Sequence, residues 1–276
     1  INSVELGCGD KKIVLGGENV LPFYTFDAPI ENSPKVGIEI TDSGLENEPE
    51  CVKKYYEGCE TIADIAKRAA SFEGVDFLSF RMDGGDPNGA NKSTEELIAM
   101  LKEIVAAVDL PLVVCGCKHA EKDAELLAKA AEAVDGKNAL ILAAKEENYK
   151  QVGAAAGLAY KQVVGAESAV DINLAKQLNV LLTQLGVDGK NIIMNVGSAA
   201  AGYGFEYAVS TMDRVKAAAL AQGDATLQMP IITPVASEAW GVKEAMASED
   251  DMPEWGDQEE RGIDMEVETA AAVLAS

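Results

Sequence analysis

Three glycine-bearing stretches carry the side chains best suited to holding a ligand. In Arg81-Met82-Asp83-Gly84-Gly85-Asp86-Pro87-Asn88-Gly89, a Gly-Gly pair permits a tight positive-φ turn that leaves Asp83, Asp86 and Asn88 to present acceptors and an amide. That set suits the amide- or phosphate-bearing edge of a ligand, and equally an ordinary turn whose Asp and Asn satisfy their own backbone. In Asn195-Val196-Gly197-Ser198-Ala199-Ala200-Ala201-Gly202-Tyr203-Gly204-Phe205, small residues let a flat ligand or another surface approach the backbone. The helix expected next offers free N–H donors at its start. In Thr233-Pro234-Val235-Ala236-Ser237-Glu238-Ala239-Trp240-Gly241, the indole of Trp240 either packs on a flat ligand or partner, or turns inward at a helix start.

Other chemistries lack their parts. His119 is the only histidine, so a His-rich zinc centre cannot be built, and its place before Glu121 fits a helix start. The five cysteines, Cys8, Cys51, Cys59, Cys115 and Cys117, contain no CxxC pair and no evenly spaced set of four, which argues against a disulfide framework or a self-contained iron–sulfur site. Cys115 and Cys117 follow an apolar run and are expected to be reduced thiols, buried or half-buried. There is no GxxxxGK[ST] loop and no GxGxxG after a strand. The net charge of −23 argues against nucleic acid as a partner and implies a solvated acidic surface. No run approaches the roughly 18 apolar residues of a membrane span, and Ile1–Asp10 lacks a signal-peptide layout, so a soluble cytoplasmic protein is expected.

The elements that must position these stretches alternate between short apolar runs and longer amphipathic ones, the pattern of repeated βα units. Strands are predicted at Val36–Ile40, Phe77–Met82, Leu112–Cys115, Ala139–Ala143, Gln162–Val164, Ile192–Val196 and Leu227–Thr233. Helices are predicted at Leu97–Val108, opened by Ser93-Thr94-Glu95-Glu96, and at Ala120–Val134, Tyr149–Ala159, Ser168–Leu185, Tyr207–Leu220 and Met265–Ala275. The fold class is α/β, a TIM (β/α)8-type barrel, which 276 residues with 48% hydrophobic content accommodate as one barrel. In such a barrel the loops after the strands gather at one mouth, where all three candidate stretches fall.

Residues 1–34 are read as an N-terminal unit. Val4–Leu6 and Lys12–Leu15 form a β-hairpin that closes the bottom of the cylinder, followed by a lead-in segment; residues 35–276 form the barrel. The strand count reaches seven, so the eighth βα unit is expected to be missing from this chain, and the start at Ile1 points to trimming.

Several of these segments together carry a family resemblance. Asp86-Pro87-Asn88-Gly89 with Ser93-Thr94-Glu95-Glu96, Pro111-Leu112-Val113-Val114-Cys115-Gly116 with Glu121-Lys122-Asp123, Gly202-Tyr203-Gly204-Phe205-Glu206-Tyr207 through Met212-Asp213-Arg214, and Gln228-Met229-Pro230 to Glu238-Ala239-Trp240 resemble the small (delta) subunit family of corrinoid iron–sulfur proteins. The likeness runs from about Val36 to Trp240. It implies a TIM barrel paired with a large subunit that carries the [4Fe–4S] cluster, with a cobamide shared between the two. It also implies partners: a methyltetrahydrofolate methyltransferase that supplies a methyl group, and the acetyl-CoA synthase/CO dehydrogenase that receives it in the reductive acetyl-CoA (Wood–Ljungdahl) pathway. On this view the chain is not a catalyst alone but a cover for the cobamide. Placement at strand ends assigns Asp83, Asp86, Asn88, Asn195, Gly197, Tyr203, Thr233 and Trp240 to the corrin, with no catalytic and no metal-ligating residue. The competing expectation is a pterin-binding methyltransferase acting on methyltetrahydrofolate, which shares the barrel and uses Asp and Asn at strand ends.

Overall fold

A computed structural model describes residues 1–21, 24 and 26–276; Pro22, Phe23 and Thr25 of the lead-in lie outside the described residues. The chain opens with β1 (Val4–Leu6) and β2 (Ile13–Leu15), paired antiparallel with Val4 opposite Leu15 and Leu6 opposite Ile13. Seven parallel strands follow in sequential order: β3 (Gly37–Thr41), β4 (Phe77–Arg81), β5 (Leu112–Cys115), β6 (Leu140–Ala144), β7 (Val163–Glu167), β8 (Ile192–Asn195) and β9 (Ile231–Ile232). Apart from Glu39, charged residues enter these aliphatic runs only at the last position. That is the composition of strands buried on both faces.

The helices are α1 (Glu50–Lys53), α2 (Ile62–Ala70), α3 (Thr94–Ala107), α4 (Ala120–Ala133), α5 (Tyr149–Val152), α6 (Ile172–Leu185), α7 (Phe205–Ala221), α8 (Ala236–Ala239), α9 (Lys243–Met246) and α10 (Gln258–Ala275). Side chains that cap orphan backbone donors set where several of them begin. Ser93 Oγ accepts from Glu96 N, Asp171 Oδ1 from Asn173 N and Leu174 N, and Asp257 Oδ1 from Glu260 N. His119 caps α4, with Nδ1 accepting from Lys122 N at 3.4 Å, as its position before Glu121 predicts.

Two cores result. Between sheet and helices, Leu78, Phe80, Met82, Val114 and Ile141 pack with Leu97, Leu101, Ile104, Leu126, Leu127 and Leu178. Inside the curl, Val4 and Leu6 pack with Val113, Leu140, Val163 and Ile193. The hairpin is held there at the N-terminal ends of the strands: Gly7 N donates to Asn138 O, and Asn138 Nδ2 to Glu5 O at 2.8 Å. It forms the floor of the barrel, as the sequence predicts.

No eighth strand among the described residues pairs with the outer edge of β3 or of β9, so the sheet is a curled half-barrel. Between those edges lies a slot of about 270 Å³ lined by Leu6, Leu15, Phe77, Ile232, Val273 and Leu274. Helix α10 runs beside it and is tied to both flanks. Tyr55 Oη donates to Glu259 Oε1 at 2.9 Å with Lys54 paired to the same carboxylate, and Ala201 N donates to Thr269 Oγ1 at 3.1 Å.

Several predicted boundaries move for local reasons. The run Leu227–Thr233 yields only Ile231–Ile232 as strand, because Asp224 captures Thr226 N and Oγ1 into a 3₁₀ turn over Ala225–Leu227, and pairing begins where Met194 N meets Pro230 O. Strand β7 starts and ends later than Gln162–Val164. Gln162 leaves the ladder to accept Ala139 N with its side chain, and Gly165 continues the strand beneath Leu142, where a Cβ would lie 2.3 Å from the leucine Cδ1. The helix at Tyr149–Ala159 widens to a π-type helix over Gly153–Ala159, which packs Gly153 and Gly157 close to Leu182 and Val187. Helix α2, missing from the sequence reading, starts at a Thr61–Asp64 capping box.

If the hairpin is the floor, Leu6→Ala leaves a cavity at a fully buried site, 0% exposed, and is expected to cost about 3 kcal/mol in urea unfolding. A loss below about 1 kcal/mol would mean that the hairpin contributes little to the core.

Candidate functional site

Strand polarity places the C-terminal ends of β3–β9 at one mouth, and the two charged residues that end strands, Arg81 of β4 and Glu167 of β7, each meet a partner from a neighbouring βα unit. On the β3–β4 side, Arg81 Nη1 donates to Glu39 Oε1 at 2.8 Å, and its guanidinium also pairs with Asp83. Burial disfavours the Arg81 charge, but Glu39 and Asp83 outweigh it and hold its pKa above the ordinary arginine value. Next to this knot, the Asp42 carboxylate, 1% exposed, accepts Gly84 N at 2.9 Å and lies 2.8 Å from Lys92 Nζ. A Cβ at position 84 would sit 2.2 Å from Asp42 Oδ2, so glycine is required there. The loops after β3 and β4 are thus bolted together by one buried ion pair.

On the β6–β9 side, Lys145 Nζ lies 3.0 Å from Glu167 Oε1, and Asn195 Nδ2 donates to Glu167 Oε2 at 3.3 Å. Asn195 Oδ1 accepts Gly197 N at 2.9 Å, and Thr233 Oγ1 donates to Gly197 O at 3.0 Å. Gly197 has φ +84, which suits glycine and closes the turn after β8. Ser168 Oγ and Ser198 Oγ, on the loops after β7 and β8, are buried without a protein partner.

A cleft of about 520 Å³ opens at this mouth, lined by Asp42, Glu46, Glu48, Arg81, Asp83, Lys92, Trp240 and Met246 among others. Asp83 and Trp240 therefore come together on it, while Asn195, Gly197 and Thr233 form the hydrogen-bonded run across the far strands. Trp240 is anchored by Nε1 donating to Glu266 Oε2 at 2.6 Å, with its ring over Gly262. Tyr203 is 53% exposed, its hydroxyl donating to Glu244 Oε2 at 2.5 Å. Asp86 and Asn88 do not line the cleft. Asp86 Oδ1 accepts both the backbone and side-chain N–H of Asn88, an Asx turn that spends their polar groups on each other. Burial pushes the Cys115 and Cys117 thiols up to about 12, so both are inert structural groups, and all five cysteines are free.

Glu39, Asp42, Arg81, Lys92, Lys145 and Glu167 were not singled out in the sequence. The signal for three of them, Glu39, Arg81 and Glu167, was there: a charged residue within or ending an aliphatic strand faces the barrel interior when it shares the strand's inward phase. Glu39, Arg81, Glu167 and Asn195 share that phase with Gly37, Phe77, Gly165 and Ile193. Among the described residues no group of three or more His, Cys, Asp or Glu side chains is placed to hold a metal ion.

The fold and mouth define a (β/α)-barrel protein with paired charges at its strand ends and an open, polar cleft on the β3–β4 side of its mouth. Residues 3–258 match the family model described as CO dehydrogenase/acetyl-CoA synthase delta subunit, and the chain belongs to that family. It is 32% identical over 275 residues to subunit delta 2 of the acetyl-CoA decarbonylase/synthase complex of Methanosarcina acetivorans, covering 98% of this chain and 62% of that protein. It is 33% identical over 247 residues to the delta subunit of Methanothermobacter thermautotrophicus, covering 88% and 62%, and 33% identical over 272 residues to that of Archaeoglobus fulgidus, covering 95% and 59%. The chain thus spans less than two thirds of the length of these relatives. Among solved structures it is similar to Xanthomonas albilineans dihydropteroate synthase, with a TM-score of 0.50 at 16% identity over 88% of this chain and 84% of that one, a likeness of fold.

Two predictions test the mouth. Lys92→Met strands the buried Asp42 carboxylate and is expected to cost roughly 3 kcal/mol in chemical denaturation, with Asp42→Asn in the same chain recovering part of it; a cost below about 0.5 kcal/mol would contradict the bolt. Burial, and then Glu39, raise the Glu48 carboxyl above its ordinary value. Its proton is therefore held more tightly in the native state, so its contribution favours folding at low pH and fades as pH rises through the raised value. Glu48→Gln, neutral throughout, is expected to stabilise the protein at pH 7 and to change little at pH 4; an equal gain at both pH values would rule out this origin.

Proposed function

We propose that this chain is the barrel half of a corrinoid methyl carrier, with a cobamide held between its mouth and a large subunit that bears the [4Fe–4S] cluster. Membership of the delta subunit family supports the reading, and one observation at the mouth carries it. The cations Arg81, Lys92 and Lys145 there are already paired with carboxylates, while Ser168 Oγ and Ser198 Oγ are buried without partners beside Asn195, Gly197 and Thr233. Those are neutral donors and acceptors, and a corrin presents neutral amides around its rim, so the residues fit the group. Asn195, Ser198 and Thr233 would hold the amide edge, with Asp83 and Trp240 forming the opposite wall. The bound corrinoid supplies the nucleophilic cobalt that accepts and donates the methyl group. The chain's own residues bind, orient and exclude water, which matters because a reduced cobalt centre reacts readily with oxidants.

In this reading the methyl group comes from methyltetrahydrofolate through a partner methyltransferase and goes to acetyl-CoA synthase/CO dehydrogenase. The carrier reading extends to the whole assembly, in a cytoplasmic and anaerobic setting. Its rival is a pterin-binding methyltransferase acting on methyltetrahydrofolate directly.

The visible absorption spectrum separates the two. The chain purified alone is expected to be colourless and to bind no methyltetrahydrofolate in calorimetry, and a corrinoid spectrum is expected when it is co-purified with its large subunit. A colourless complex, or a chain that binds the pterin unaided, would overturn the carrier in favour of the methyltransferase.

A further inference from the structure

We infer that Lys145 and Glu167 are positioning residues: they set which way round the Asn195 amide sits, and through it the shape of the loop after β8. The inference rests on reading the mouth as the ligand-bearing end, but its mechanism is a property of the chain alone.

An asparagine amide is nearly symmetric in shape, so its neighbours decide which end is oxygen. Here one neighbour is Glu167 Oε2, an acceptor, 3.3 Å from the Asn195 Nδ2 end. The other is Gly197 N–H, a donor, 2.9 Å from the Oδ1 end. Lys145 Nζ lies 3.0 Å from Glu167 Oε1 and offers only donors, so it requires an oxygen at that position. The requirement passes along the row: Lys145 demands an oxygen, a carboxylate satisfies it and presents a second oxygen, and Asn195 must answer with its amide N–H. Only then does Oδ1 face Gly197 N and close the positive-φ turn at Gly197, whose carbonyl in turn receives Thr233 Oγ1. The ends of β6, β7, β8 and β9 are linked in a row whose donation converges on Glu167, from Lys145 on one side and from Asn195, Gly197 and Thr233 in succession on the other, and Ser198 sits on the turn this row shapes.

A near-isosteric change exposes the logic. In Glu167→Gln, Lys145 still requires the oxygen, so the glutamine NH2 faces Asn195 and drives its amide to flip, leaving Gly197 N opposite another donor. Adding Asn195→Asp supplies acceptors at both ends and completes the row again with donation reversed at one step. Adding Lys145→Met instead frees the glutamine to rotate and also relieves the conflict. A salt bridge that merely stabilised the fold would show neither rescue.

The test is hydrogen–deuterium exchange of the Gly197 amide, read by NMR on the chain alone, with Leu78 N, bonded to Pro111 O in the sheet, as the control. Exchange at Gly197 is expected to be about tenfold faster in Glu167→Gln and restored near wild type in Glu167→Gln/Asn195→Asp and Glu167→Gln/Lys145→Met, with Leu78 unchanged throughout. Lys145→Arg should behave as wild type. Unchanged Gly197 exchange in Glu167→Gln, or failure of both double variants to restore it, would overturn the relay. Cobamide retention in the co-purified complex is the second readout, expected to fall in Glu167→Gln and recover in the Asn195→Asp double. If Gly197 follows the predicted series and cobamide retention does not, the relay stands and the assignment of this loop to the corrin fails.

Discussion

A parallel sheet curled around its own interior can carry ionised side chains only where each finds a partner on the adjoining strand. This chain meets that constraint at one end alone. Below the mouth the inward positions are uncharged and largely apolar and rest on the β1–β2 hairpin. At the mouth they turn charged and polar together: the register sets Glu167 directly opposite Asn195, and Arg81, opposite Thr41, reaches diagonally to Glu39. Fold and site are therefore one construction: the floor fixes the depth of the core, the core fixes the strand phase, and the phase decides which residues emerge at the mouth.

The consequence is a mouth whose cations are already spent on carboxylates. Arg81 is shared between two carboxylates, Lys92 is bound to Asp42 and Lys145 to Glu167. What remains to meet a ligand are hydroxyls, an amide, backbone groups, the Trp240 ring and the Glu46 and Glu48 carboxyls. In the proposed carrier, such a surface would hold and orient a molecule that brings its own reactivity. Trp240 illustrates the economy of the arrangement, since Glu266 and Gly262 of α10 hold its ring, so the helix flanking the open slot also supports the rim of the cleft.

Much of this was legible in the sequence, for identifiable reasons. Short aliphatic runs separated by amphipathic ones specified the parallel sheet and its open count of seven strands, and the hairpin was visible from two short apolar runs around Gly7-Cys8-Gly9. Asp83, Asn195 and Thr233 could be found because they directly follow or end such runs. Asp86 and Asn88 look equally polar in sequence, but a side chain that bonds its own turn is indistinguishable by type from one that faces a ligand. The partners were harder. Lys145 and Glu167 lie on different βα units, and only the three-dimensional register brings them within 3.0 Å. Likewise, nothing in the run Leu227–Thr233 reveals that Asp224 will fold its start into a turn.

The most direct test of the central claim, that the mouth and not the floor faces the cobamide, is pulsed electron paramagnetic resonance on the co-purified complex with cobalt in its paramagnetic Co(II) state. With the half-buried free thiols Cys51 and Cys59 replaced by serine in both samples, a nitroxide attached to Cys8, exposed on the hairpin, marks the floor, and one attached at Asn88→Cys with Cys8→Ser added marks the mouth side. Strong relaxation of the label at position 88, with little effect at Cys8, is the predicted result. Equal effects at both sites, or a stronger one at Cys8, would contradict it and place the cofactor elsewhere on the barrel.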